Sequence, residues 1–187
     1  MKRGKAAEVS RKRRRANIII IGIIAGIAAG IAFGVYSYAQ SPPRTAGFGA
    51  LGSTHEHAAF RVFIDGQAID FSQPKYQVRS PYIHFEDANG DLLHLHATKV
   101  DLGFLFESFK MKFTSNCLVM DDGTEYCSNG QKTLKFFVNG VENSMYDKYV
   151  LKEGDRILIS YGSETPEQIR EQIDIVDGLY VLNTFSP

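Results

Sequence analysis

Five histidines, His55, His57, His84, His94 and His96, are the side chains in this sequence best suited to chemistry, and all fall in the stretch between residues 55 and 96. They form two His-x-His pairs and one single residue. On a β-strand, residues two apart share a face at roughly 6.5 to 7 Å, since each residue advances about 3.3 Å. An imidazole pair on one strand and a third imidazole across the ladder can close a three-nitrogen set around zinc or copper. His84, His94 and His96 make the core of the expected set. His55 and His57 join it if their strand runs alongside. Each histidine lies on the polar side of its strand, opposite the alternating Phe, Leu and Ile side chains that should build the core, which suits a site better than a core position. Histidines scattered over a solvated strand face are the plain alternative.

The elements that must position them are legible as alternation. Tyr82 to Thr98 forms two alternating runs around Asn89-Gly90, a hairpin signal. If Ala88-Asn89-Gly90 is a three-residue loop with Gly90 left-handed, Asp87 faces Asp91 and His84 stands opposite His94. A two-residue turn would slip the register and send His84 to the other face. Glu86 shares the face of His84 and is placed to hold an imidazole tautomer from behind a metal site. Glu56 points the other way. His55 to Ile64, followed by Asp65-Gly66, reads as a second hairpin with Phe60, Val62 and Ile64 on its apolar face.

Further along, Leu102, Leu105, Phe106 and Phe109 have the spacing of one buried helical stripe, with Thr98 or Asp101 as N-cap. A turn at Asp121-Asp122-Gly123 would pair Met120 with Thr124 and set Cys117 across from Cys127, so a structural cross-strand disulfide is expected in an oxidising compartment. A redox-active pair would call for Cys-x-x-Cys, which is absent. Arg156 to Tyr161 is an apolar strand of central character. Thr165-Pro166-Glu167-Gln168 opens a short helix to about Asp174, and the tail from Gly178 to Pro187 has no clear pattern.

Charge separates the chain into two regions. Lys2, Arg3, Lys5, Arg11, Lys12, Arg13, Arg14 and Arg15 precede an uncharged run from Asn17 to Ala39, and the residues after it carry an excess of carboxylates although the whole chain is formally neutral. An acidic body does not suit nucleic acid. The uncharged run is long enough to cross a bilayer core of about 30 Å at about 1.5 Å per residue, and its basic flank places the N-terminus in the cytoplasm and the body outside. A signal sequence cleaved after Ser37-Tyr38-Ala39 is the rival; the length favours a retained anchor. The expected organisation is a basic tail (1–16), a transmembrane helix (17–39), a flexible linker (40–54) and an extracytoplasmic domain (55–187). Gly22, Gly26, Gly30 and Gly34 line one side of the helix, a groove for a second copy or another membrane protein.

Phe136-Phe-Val-Asn-Gly140 followed by Tyr149-Val-Leu-Lys-Glu-Gly-Asp-Arg-Ile-Leu-Ile-Ser-Tyr-Gly162 resembles the last strands of β-grasp proteins of the sulfur-carrier type. The resemblance covers the C-terminal half of the body and implies an α+β, β-grasp-like mixed sheet built from hairpins with one packed helix. Sulfur carriers end in Gly-Gly, whereas Gly162 here continues into Ser-Glu-Thr-Pro. The whole chain is similar to single-span archaeal proteins with an exported domain and no assigned function, which implies location and architecture.

The functional expectation is a membrane-anchored domain that binds copper or zinc through its histidines, in metal handling or as an accessory part of a membrane complex. No residues are assigned to catalysis. The alternatives are a zinc-dependent hydrolase or hydratase on three histidines, and a metal-free interaction module. No nucleotide-binding fingerprint is present. For the membrane helix, Gly26→Ile with Gly30→Ile should weaken self-association in a membrane reporter, and unchanged association would remove the packing role.

Overall fold

The computed structural model describes residues 3–40 and 43–184. The chain forms two compact units, residues 1–46 and 47–187. The first is dominated by α1 (Arg3–Gln40), in which Asn17–Ser37 is long and apolar enough to cross a membrane, with a mean hydropathy of 2.7. A signal sequence near the N-terminus would have the same character. Its isoleucines are exposed, and apart from the adjacent residues and the helix's own backbone no atom of the described residues lies within 4 Å of the positions where Gly22, Gly26, Gly30 or Gly34 would carry a Cβ.

The second unit is α+β. Its elements are β1 (Glu56–Ile64), β2 (Gln67–Ala68), β3 (Ile83–His84), β4 (Leu92–Leu95), α2 (Leu102–Ser108), β5 (Lys112–Phe113), β6 (Cys117–Val119), β7 (Glu125–Cys127), β8 (Thr133–Val138), β9 (Val141–Glu142), β10 (Arg156–Gly162) and α3 (Pro166–Thr184). One mixed sheet runs β3-β4-β1-β10-β8-β9, with β2 also paired to β1; β5, β6 and β7 form a small second sheet. The central pair, β1 with β10, is parallel, and its neighbours are antiparallel. Such a pair must be covered on both faces, and both faces of β1 and β10 carry apolar side chains accordingly.

On one face Ala58, Phe60, Val62, Ile157, Ile159 and Phe136 join the stripe of α2, Leu102, Leu105, Phe106 and Phe109, in the main core. Asp101 caps α2 by accepting from the Phe104 amide at 2.9 Å. The other face holds a smaller core of Ala59, Phe63 and Leu158 under Val176, Ile173 and Leu179 of α3. The N-terminus of α3 has the reciprocal cap read from its sequence: Thr165 Oγ1 accepts from the Gln168 amide at 3.3 Å, and Gln168 Oε1 accepts from the Thr165 amide at 2.9 Å.

Four expectations are corrected. The body begins before His55, because Phe48 packs edge-on against Tyr82 and Phe104 and the amides of Gly49 and Gly52 donate to the Thr98 and His96 carbonyls. A glycine-rich segment read as linker is thereby tied to the domain by one aromatic ring and its own backbone. Two helices pack on the sheet, not one, since α3 continues well past Asp174 to Thr184; residues 185–187 of the predicted tail lie outside the described residues. The hairpin of β3 and β4 is short, with only two paired positions.

Gly90 is also not the left-handed residue. Asp87 (φ 55°) and Ala88 (φ 54°) are, and the Asn89 amide closes their turn on the Glu86 carbonyl at 2.9 Å. Gly90 is needed for space: a Cβ there would lie 2.5 Å from the Ser72 backbone nitrogen and 2.6 Å from the Phe71 carbonyl carbon. Gly90→Ala should therefore destabilise the body by about 1–3 kcal/mol through forced backbone displacement, measured by denaturant unfolding. A loss under about 0.5 kcal/mol, the range of ordinary surface changes, would show that the loop yields freely.

Candidate metal centre

The histidine face is produced by strand order. β4 lies between β3 and β1, so His94 pairs directly with His84 on one side and with His57 on the other. The register that sets His84 opposite His94 thus holds with a different turn from the one expected. Because β1 does run alongside, His55 and His57 arrive on the same surface. It is the sheet face that α3 covers further along β1, where Ala59 and Phe63 replace the imidazoles.

His55, His57 and His94 each bring one ring nitrogen within 4.8 Å of the other two, a set geometrically able to hold a metal ion. Ring centroids stand 4.9 Å apart for His55 and His57 and 4.8 Å apart for His57 and His94. The sequence put His84, His94 and His96 at the centre instead. His84 is buried and its ring is engaged at both ends: Nδ1 donates to the Ser80 carbonyl at 2.8 Å, and Nε2 lies 3.1 Å from Glu86 Oε2. A carbonyl oxygen can only accept, so Nδ1 carries a proton there. His96 flanks the set, its ring 4.9 Å from that of His55 and 5.1 Å from that of His84.

Two carboxylates back the ligand imidazoles. Glu86 bridges His84 and His94, with Oε1 at 3.3 Å from His94 Nδ1. That contact is close enough for charge attraction but lacks hydrogen-bond alignment, and it leaves Nδ1 buried with no hydrogen bond. With Nδ1 turned inward, Nε2 is the nitrogen His94 has to offer a metal. Glu153 performs the corresponding service for His57. Its Oε2 accepts from the His57 amide at 2.7 Å and lies 3.9 Å from His57 Nδ1. Both carboxylates lie at charge-pair distance from a ring nitrogen without hydrogen-bonding to it.

Glu153 escapes a reading of the sequence because it lies 96 residues from His57 along the chain. Only the parallel pairing of β1 with β10 brings the loop before β10 to the start of β1. That loop is held firmly: the Gly154 amide donates to the His57 carbonyl at 2.9 Å, and the Ala59 amide donates to the Asp155 carbonyl at 2.8 Å. Buried Asp155 also accepts from the Tyr149 hydroxyl at 2.9 Å and from Asn139 Nδ2 at 3.1 Å. Burial and the bond to Asp155 push the Tyr149 hydroxyl well above its ordinary pKa, so it remains the donor.

The electrostatics favour neutral imidazole. Burial is the first cause that lowers the pKa of His94, and the neighbouring His57, His84 and His55 add to it against the attraction of Glu86. His96 is lowered by burial and by His84 and His55. Glu86 is raised by burial, but the hydrogen bond with His84 and the charges of His94, His84 and His96 together bring it below the usual carboxylate value. Neutral imidazole beside ionised carboxylate is the protonation state a divalent metal requires. A cavity of about 430 Å³ lies further along the same strand, lined by Arg61, Asp70, Ser72, Asn89 and Asp91, and contains none of the histidines.

The disulfide Cys117–Cys127 joins β6 and β7 in the expected register, with Met120 paired to Thr124. It removes both thiols from any metal chemistry. Compared with known proteins, the chain matches no family model, no curated protein and no solved structure.

A pH prediction follows from the shifted histidines. Their folded pKa values lie below the ordinary 6.5, so the unfolded chain binds more protons just under that pH. Their contribution to stability is complete above 6.5 and is lost as pH falls through the lowered values; that of Glu86 declines only below 4.5. The metal-free protein should melt progressively lower between about pH 7 and pH 5, and His94→Gln should flatten the profile. A flat profile for the unsubstituted protein would show that the imidazoles accept protons at no cost to the fold.

Proposed function

We propose that the chain is a membrane-anchored protein whose extracytoplasmic domain binds a transition metal, copper or zinc, in a non-catalytic role in metal handling or as an accessory part of a membrane complex. The observation that carries this reading is the convergence of His55, His57 and His94 within 4.8 Å. The carboxylates of Glu86 and Glu153 behind two of the rings support it. Nitrogen-only ligation of neutral imidazoles suits zinc and oxidised copper. His84 supports the centre from outside by anchoring Glu86.

Location rests on charge and redox chemistry. The basic residues before Asn17 favour a cytoplasmic N-terminus, and the disulfide favours an oxidising space for the body. The open glycine stripe of α1 suits close approach of another membrane helix, from a second copy or a different protein. The parallel β1–β10 pair at the centre of the sheet, crossed by α2, supports a β-grasp character for the domain, with the β3–β4 hairpin and α3 as additions to it.

The test is metal analysis of the full chain purified in detergent. One equivalent of zinc or copper per chain is expected, with binding abolished by His57→Ala and by His94→Ala. A saturating metal at about 100 times its dissociation constant should stabilise the fold by about 2.7 kcal/mol, seen as a rise in melting temperature. A chain that holds no metal and melts unchanged with added zinc or copper would end this reading.

A further inference from the structure

We propose that His96 is a fourth ligand, closing the centre as a four-imidazole site, and that the ion it is built for is copper(II). The inference rests on the metal-binding reading above and extends it to the ligand number and the identity of the ion. The first observation is spacing. The rings of His55 and His96 stand 4.9 Å apart, the same as His55 and His57, while His55 and His94 are 6.4 Å apart. His96 is thus as close to His55 as His57 is, and it stands beside the three rings whose nitrogens lie within 4.8 Å of one another.

The second observation is availability. His84 spends both ring nitrogens on Ser80 and Glu86. Neither ring nitrogen of His96 is hydrogen-bonded to any described residue. Its backbone is fixed, the amide donating to the Tyr82 carbonyl at 2.9 Å and the carbonyl accepting from Gly52 at 2.6 Å, so rotation of the ring is the movement left to it. His55 likewise offers an exposed ring on a residue just outside β1. A small turn of these two rings toward His57 and His94, the pair in direct register on neighbouring strands, brings four nitrogens around one ion.

The third observation is ligand chemistry. Both cysteines are consumed in the disulfide, so the centre has no thiolate, and copper(I) prefers soft sulfur. Four nitrogen donors without sulfur match the tetragonal preference of copper(II), which also binds nitrogen sites more tightly than zinc does. With four imidazoles bound, a tetragonal ion has no equatorial position left for water. The site then retains and passes on its ion and does not activate a nucleophile.

The experiment is electron paramagnetic resonance of the full chain in detergent loaded with one equivalent of copper(II), compared with His96→Ala and His96→Gln. The unsubstituted protein should give a tetragonal spectrum with hyperfine splitting from four nitrogens. Both variants should retain the melting temperature of the metal-free protein, show three nitrogens and bind copper about tenfold or more weakly. If the spectrum and affinity are unchanged in both variants, the fourth-ligand assignment is overturned while the metal centre stands. Displacement of the copper by equimolar zinc would overturn the choice of ion alone. Failure to bind either ion would remove the underlying metal reading as well. If the Ala variant loses folded structure, the Gln variant decides.

Discussion

Everything in the α+β body depends on the parallel pairing of β1 with β10. Two strands far apart in sequence lie side by side at the centre of the sheet, and their side chains define both cores. A parallel pair cannot tolerate an open face, so α2 covers one side and α3 the other. The imidazoles stand on the face that α3 packs against, at the starts of β1 and of the β3–β4 hairpin. The same pairing carries Glu153 to His57 and fastens the connecting loop by two backbone hydrogen bonds. The centre is thus assembled from three separate chain segments, and the fold brings together what no local motif contains.

The centre divides into a fixed half and an adjustable half. His57 and His94 sit on neighbouring strands in direct register, each backed by a carboxylate. His55 and His96 sit just outside strand ends and their rings are held by other imidazoles alone. In the proposed centre this asymmetry would let two ligands stay in place while two change position. Burial and mutual repulsion lower the pKa values of His94 and His96, and the hydrogen bond with His84 helps lower that of Glu86. The charge pattern complementary to a cation is in place before any cation arrives.

Much of this was legible in the sequence, and the errors have physical causes. Alternation placed His84 opposite His94 and put the five imidazoles on the polar side of their strands. The stripe from Leu102 to Phe109, the Asp101 cap and the cysteine register were likewise read from local spacing. Three things were not readable. Gly90 was assigned a left-handed turn because Asn-Gly favours one, whereas its hydrogen side chain admits the backbone of Phe71 and Ser72, a tertiary contact with no local signal. The segment from Gly47 looks like linker by composition but is docked by Phe48. The membership of the three-histidine set was misjudged because His84 finds partners in Ser80 and Glu86, and spacing on a strand says nothing about which nitrogens are already occupied.

The sheet ends at both sides in two-residue strands, β3 at one edge and β9 at the other. An exposed strand edge is a template on which another chain can extend the ladder, and short edges are one of the means by which folded proteins blunt it. Copies anchored in a membrane plane, as proposed for this chain, would meet one another far more often than copies in free solution. The two-residue strands at the margins themselves give a colliding neighbour little to zip onto. In the proposed membrane setting, crowding would then leave association mainly to the apolar helix α1.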